Sequence, residues 1–178
     1  MGVDGLLLVS VNSLFAAVLL VAGVTKTVVP QPVRSAVEEL LHGSAHTVSA
    51  SAVRVFGAVE IAVGLGLLIP AARAAVGVAV IGLGAVFALA GAAGWRRRSA
   101  LPCGCLGGGP YPLGARNVLV GAAFVALGVL DIAAVPTAPA SGTRAPAITA
   151  AAMVLFCLWL HRRLAWRLLR PSARPDAT

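Results

Sequence analysis

Two thiols one residue apart are the sharpest chemical feature of this sequence. The stretch Leu101-Pro102-Cys103-Gly104-Cys105-Leu106-Gly107-Gly108-Gly109 sets Cys103 and Cys105 on either side of a single glycine. A disulfide between them would close a small, strained ring, and strain raises the reduction potential. Pro102 stops a helix from forming, and Gly104 removes the steric barrier to a tight bend. The arginines upstream, Arg96, Arg97 and Arg98, favour thiolate over thiol. These residues leave three readings open: an exchangeable redox pair, two unreactive loop cysteines, or metal ligands. Zinc would want four ligands. His42 and His46 are the histidines that could help from the same side, but Gly43 between them argues against a fixed helical pair, and both read as solvated loop residues. Cys157, among Leu155, Phe156 and Leu158, reads as an inert packing residue.

Glu60 is the second feature. It interrupts the apolar segment Gly57-Ala58-Val59-Glu60-Ile61-Ala62-Val63-Gly64. A carboxylate at that depth in a membrane costs free energy unless it is paired or protonated, so it marks a functional site by default. Its expected partner is Lys26, the only lysine in the chain. At 1.5 Å of rise per residue, Glu60 lies roughly 10 Å, and Lys26 roughly 5 Å, from the same end of their helices. A lysine stem can span the difference. The pair reads either as a structural ion pair or as a proton-handling or ligand site. Asn12 is expected to bond across helices, and Asp131 to sit at the membrane interface.

The elements that must position these groups are apolar runs. A helix needs about 20 apolar residues to cross the hydrocarbon. Five runs come near that length: Leu6–Val29, Val53–Ile69, Ala74–Ala93, Val118–Val135 and the weakest, Ala145–Leu160. Pro30 and Pro32 end the first and Pro70 closes the second. Gly94-Trp95-Arg96 stops the third, Pro136 follows the fourth, and His161-Arg162-Arg163 ends the fifth. Between the first two, Val33, Val37, Leu40 and Leu41 share one face of a short helix suited to the interface. The predicted fold is an all-α membrane bundle of four to five transmembrane helices with that short interfacial helix. Residues 1–135 form the four-helix membrane domain. Residues 136–178 hold an outer linker, the fifth helix and a basic cytosolic tail. Met1-Gly2-Val3-Asp4 lacks a basic leader, so the first run is expected to be retained. No repeat of fixed period is apparent.

Composition agrees. Of 178 residues 59% are apolar and 11% charged, and the mean hydropathy is +0.94. A soluble domain carries about 25% charged residues. Too few remain here to cover a water-facing surface, which excludes a soluble enzyme, a disordered tail and a disulfide-stapled secreted domain. The net charge of +8 suggests nucleic acid at first sight. The basic residues, however, border apolar runs, where they set orientation, and the aromatics lie mostly within those runs rather than on a stacking platform. The bilayer is the expected partner, and nucleic acid is not. Twelve of the fourteen basic residues fall on one side: Lys26, Arg34, Arg54, Arg96, Arg97, Arg98, Arg116, Arg162, Arg163, Arg167, Arg170 and Arg174. The other side has Arg73 and Arg144. The N-terminus is therefore predicted outside, with the cysteine loop and the C-terminus in the cytosol.

Several motifs occur together in a recognisable order. Ala22-Gly23-Val24-Thr25-Lys26 ends the first run, and Ala58-Val59-Glu60-Ile61-Ala62-Val63-Gly64-Leu65 lies in the second. Cys103-Gly104-Cys105-Leu106-Gly107 is followed by Ala115-Arg116-Asn117. Over roughly residues 6–135 the chain resembles the MauE family of methylamine-utilisation membrane proteins, related to the broader DoxX-like four-helix proteins. The resemblance implies a bacterial inner-membrane protein that helps mature the disulfide-rich small subunit of methylamine dehydrogenase, alongside a thioredoxin-like partner. It implies Cys103 and Cys105 as the redox pair, with Lys26, Glu60, Arg116 and Asn117 as supporting positions. Leu106 departs from the aromatic residue common in the family after the second cysteine, and the fifth helix is extra. A cytosolic cysteine loop also conflicts with disulfide maturation of an exported subunit.

Two functions of different class follow. The first is a membrane thiol–disulfide protein that exchanges reducing equivalents in support of an exported partner, with Glu60 and Lys26 handling a proton or a quinone-like ligand. No residue motif demands that ligand, or any other cofactor or metal. The second is a non-catalytic scaffold or assembly subunit, in which Cys-Gly-Cys is a tight turn and Lys26–Glu60 a staple. A transporter ranks last, because broken helices and paired repeats are not apparent.

Overall fold

A computed structural model describes residues 3–41, 48–99 and 112–133, together with 151 and 155. Four long helices and one short one account for nearly all of them. The long ones are α1 (Val3–Val28), α3 (Ala50–Leu67), α4 (Arg73–Arg96) and α5 (Ala115–Ala133), and each is long and apolar enough to cross a membrane. The short α2 (Gln31–Leu40) lies between the first two spans. Apart from Ala151 and Leu155, the expected run Ala145–Leu160 lies outside the described residues, as do Cys103, Cys105 and Cys157 and the histidines His42 and His46.

Local chemistry sets the helix ends, and it moves several of the expected boundaries. Pro30 caps α2 and Pro32 sits in its first turn, where a missing N–H costs nothing. The two prolines therefore start α2 two residues before Val33 as well as ending α1. Ser49 caps α3 by accepting a hydrogen bond from the Ala52 N–H at 3.1 Å, so α3 begins three residues before Val53. Trp95 and Arg96 continue α4 past Gly94. Its end is a tight reversal in which the Ser99 N–H bonds the Gly94 carbonyl at 3.0 Å and the Arg98 N–H bonds Trp95 at 3.1 Å. Arg98 takes the left-handed conformation there, with φ 53°. A non-glycine residue in that region costs about 1–2 kcal/mol, which the closing bonds offset.

The helices form two antiparallel hairpins, α1 with α3 and α4 with α5. In each, a glycine or alanine recurs every seven residues along the contact. Gly77, Gly84 and Gly91 on α4 face Gly128, Gly121 and the Gly114–Asn117 turn at the start of α5. Gly23 and Ala16 on α1 face Gly57 and Gly64 on α3. A Cβ built on Gly121 would lie 2.5 Å from the Gly84 carbonyl oxygen, and one on Gly23 2.5 Å from that of Gly57. Bilayer helices lack a hydrophobic drive to associate, so close backbone approach supplies the packing contacts. This seven-residue recurrence is a feature of the contacting faces and not a repeat of the chain. It is hard to see in a chain with 20 glycines.

Larger side chains fill the space between the hairpins. Ala16, Leu19, Val63, Leu67, Val80, Leu83, Phe87, Phe124 and Leu127 form one buried core. One phenylalanine from each long helix joins a chain of rings through it. Phe15 meets Phe124 edge to face at 4.7 Å, Phe124 meets Phe87 at 5.9 Å, and Phe87 meets Phe56 at 6.4 Å. Such contacts prefer edge-to-face geometry because the ring edge is positive and its face negative. Leucines and valines such as Leu7, Leu65, Val78, Leu89 and Leu119 point outward, as lipid requires.

Candidate functional site

Lys26 and Glu60 meet inside the first hairpin. The Lys26 Nζ donates to both carboxylate oxygens of Glu60, at 2.7 and 2.8 Å, and both side chains are fully buried. The two Cα atoms sit at different depths, but the helix directions close the gap. Every Cα–Cβ bond leans toward its own helix N-terminus. On antiparallel helices, Lys26 therefore leans into the bundle while Glu60 leans toward the end that Lys26 leaves. Gly57 makes room, since a Cβ there would press on the Lys26 Cβ at 3.0 Å.

Aromatic rings close the pair off on the side of the second hairpin. Nζ lies 5.7 Å from the Phe56 ring centre and 5.6 Å from that of Phe87. Within about 6 Å a ring face attracts a cation, more strongly when water is absent. The ammonium thus has anionic and aromatic partners together. Such a pair can pass one proton between Nζ and the carboxylate without changing the net charge of the bundle.

The same end of the bundle carries α2 and the start of the cysteine-bearing connection. Val33 and Ala36 are the buried residues of α2. Leu41 is exposed just past its end, so Ala36 rather than Leu41 completes the inward face. Two contacts tie α2 to the end of α4. The Ser99 hydroxyl lies 3.0 Å from Glu39 Oε2, and the Arg97 guanidinium donates to the Leu40 carbonyl. Leu113, where the chain returns, packs against Gly94. Arg116 and Asn117 lie in the first turn of α5, ahead of the expected start at Val118. Asn117 is buried against Gly91, and Arg116 is exposed. The connection bearing Cys103 and Cys105, themselves outside the described residues, therefore leaves and re-enters at the end where Lys26 and Glu60 meet.

At the opposite end Asp131, two residues from the end of α5, is buried within the bundle and accepts a hydrogen bond from Asn12 Nδ2 at 2.8 Å. This bond joins α1 to α5, one turn from Phe15 on α1 and two turns from Phe124 on α5. A carboxylate near a helix end reads as interfacial from position alone. What buries it is the face it shares with Phe124, Leu127 and Gly128. The ring chain also went unread in the sequence. Its only signal is one phenylalanine in each of the four spans, which has no meaning until the faces are known.

A family model described as methylamine utilisation protein MauE matches residues 4–134. Comparison with curated proteins and with solved structures gave no match. The matched stretch runs from the start of α1 to the end of α5. It takes in Lys26, Glu60, both loop cysteines, Arg116 and Asn117, and ends before residue 145. With three-quarters of its length matched, and four spans of membrane-crossing length within the match, this chain belongs to the MauE family, linked by its description to methylamine utilisation, as a multi-pass membrane protein.

Proposed function

We propose that the protein is a membrane thiol–disulfide exchanger whose reactive groups are Cys103 and Cys105. It would support the maturation of an exported, disulfide-containing partner, together with a thioredoxin-like protein. The observation that carries this reading is the anchoring of both flanks of the cysteine connection. Ser99 is tied to α2 through Glu39, and Leu113 is seated on Gly94, so the described residues on either side of the cysteine connection are fixed at the end of the bundle where Lys26 and Glu60 meet. In the exchange, a thiolate of the reduced pair attacks a disulfide sulfur of the partner and displaces its other sulfur as a thiolate. The second cysteine thiolate then attacks the mixed disulfide. Cys103 and Cys105 end joined to each other, two electrons poorer, and the partner ends as a dithiol. The reverse sequence oxidises the partner.

Charge supports a cytosolic location for this end. Lys26 is consumed in a buried pair. Six arginines still lie at this end among the described residues, namely Arg34, Arg54, Arg96, Arg97, Arg98 and Arg116, against Arg73 at the other. The test is cysteine trapping in intact cells. Cys105→Ser should accumulate a mixed disulfide through Cys103, and Cys103→Ser, Cys105→Ser should abolish it. A membrane-impermeant thiol reagent should label the loop from the cytosolic face alone. If a partner's thiol state is the same with the wild type and with the double variant, the exchange reading fails.

One observation favours a scaffold or assembly subunit instead. Lys26 meets both oxygens of Glu60 inside a glycine-packed hairpin, as a staple would. On that reading the double serine variant works normally, while Glu60→Leu disturbs folding.

A further inference from the structure

The outer polar tie, unlike the inner one, is left incomplete. Asn12 and Asp131 are both buried, and one hydrogen bond joins them. Each keeps one polar atom away from solvent and without a hydrogen-bond partner among the described residues, Oδ1 on Asn12 and Oδ2 on Asp131. Both are acceptor oxygens. A buried acceptor without a donor costs about 1–3 kcal/mol, so two on adjoining groups need a common explanation. A carboxyl and a carboxamide are matching forks. When one N–H···O bond joins them, the remaining atoms are two oxygens, and a single proton on Asp131 Oδ2 turns those into an O–H···O bond. A second partner stands by for the other state. Arg73, from the first turn of α4, is the charged group that faces Asp131 among the described residues, and its Nε is buried with no partner. α1 contributes the uncharged Asn12.

We propose that Asn12 and Asp131 form a proton-binding site in the outer half of the bundle, holding Asp131 as a carboxylic acid whose hydroxyl donates to Asn12. Taking up the proton completes a two-bond tie between the hairpins. Losing it leaves a carboxylate that keeps the Asn12 N–H and has Arg73 as its facing cation. The site would therefore couple the contact between α1 and α5 to protonation from the outer side.

Infrared spectroscopy of the full chain in lipid nanodiscs tests this at pH 7. The wild type should show a protonated-carboxyl C=O band that is lost in Asp131→Asn and disappears reversibly as the pH is raised. The same band should persist in the Cys103→Ser, Cys105→Ser variant, because the site does not depend on thiol exchange. Wild-type and Asp131→Asn spectra that coincide in the carboxylic-acid region overturn the proposal, since Asp131 is then a carboxylate. If Asp131→Asn does not accumulate, Asn12→Leu replaces it. Removing the donor to the carbonyl oxygen should shift the band, and an unshifted band overturns the proposal equally.

Discussion

The buried polar contacts at the two ends of this bundle are built differently. At the end that carries α2, Lys26 and Glu60 belong to the same hairpin, α1 with α3, and the ammonium meets both carboxylate oxygens. At the opposite end, Asn12 and Asp131 belong to different hairpins, and two of their oxygens lack donors among the described residues. The Lys26–Glu60 contact lies where glycines bring the backbones together. The Asn12–Asp131 contact spans a gap filled by phenylalanine and leucine side chains. Saturated groups between closely packed helices resist rearrangement, because any movement exposes two charges. A half-satisfied contact between hairpins can change partners at little cost. The molecule thus joins two glycine-packed hairpins through a side-chain seam.

The largest expected effect comes from breaking the Lys26–Glu60 pair. Lys26→Met strands a carboxylate in the core and should cost about 3–5 kcal/mol in reversible unfolding from mixed micelles. The double variant Lys26→Met, Glu60→Leu should recover most of that, because an apolar pair needs no desolvation. If the double variant stays as unstable as the single one, the pair does more than neutralise itself.

Hairpin rigidity comes next. Gly121→Leu forces a side chain against the Gly84 carbonyl and the Ala88 backbone, where even a Cβ lies within 2.5 Å. It should cost about 1–3 kcal/mol by overpacking. The readout is faster hydrogen exchange along α4 and α5 with α1 and α3 little changed. Uniform acceleration over all four helices would argue against separate hairpins.

A smaller loss is expected at the seam. Asn12→Leu should cost about 1–2 kcal/mol, the value of one interhelical hydrogen bond plus an acceptor left without a donor. A cross-link between cysteines placed on α1 and α5 should form less efficiently in this variant, and equal efficiency would show that the rings alone hold the seam.

The smallest effect sharpens the contrast. Asn12 and Lys26 are fourteen positions apart on α1, about 21 Å of rise. Combining Asn12→Leu with Lys26→Met should therefore give a sum within about 0.5 kcal/mol of the separate losses. A larger coupling in a double-mutant cycle would mean that the two ends communicate through the ring chain.

The spans could be read because hydropathy and length are local properties. The bilayer imposes about 20 apolar residues on any helix that crosses it, and the four described spans carry that pattern in their own residues. Lys26 and Glu60 were legible for a related reason. A charge inside an apolar run is conspicuous, and a single lysine leaves few choices of partner. The limits of α2 and the early starts of α3 and α5 were less legible. Proline tolerance in a first turn and capping by Ser49 shift boundaries without altering the hydropathy pattern.

Sequence alone determined that this chain is a bundle of apolar helices with a charged pair inside, two cysteines one residue apart and a basic end, since each follows from residue type and spacing along one strand of chain. Tertiary structure decided the glycine register, the four-ring chain and the burial of Asp131 against Asn12. Those depend on which helix faces meet. In a membrane helix the inward and outward faces are both apolar, so periodicity in polarity cannot tell them apart.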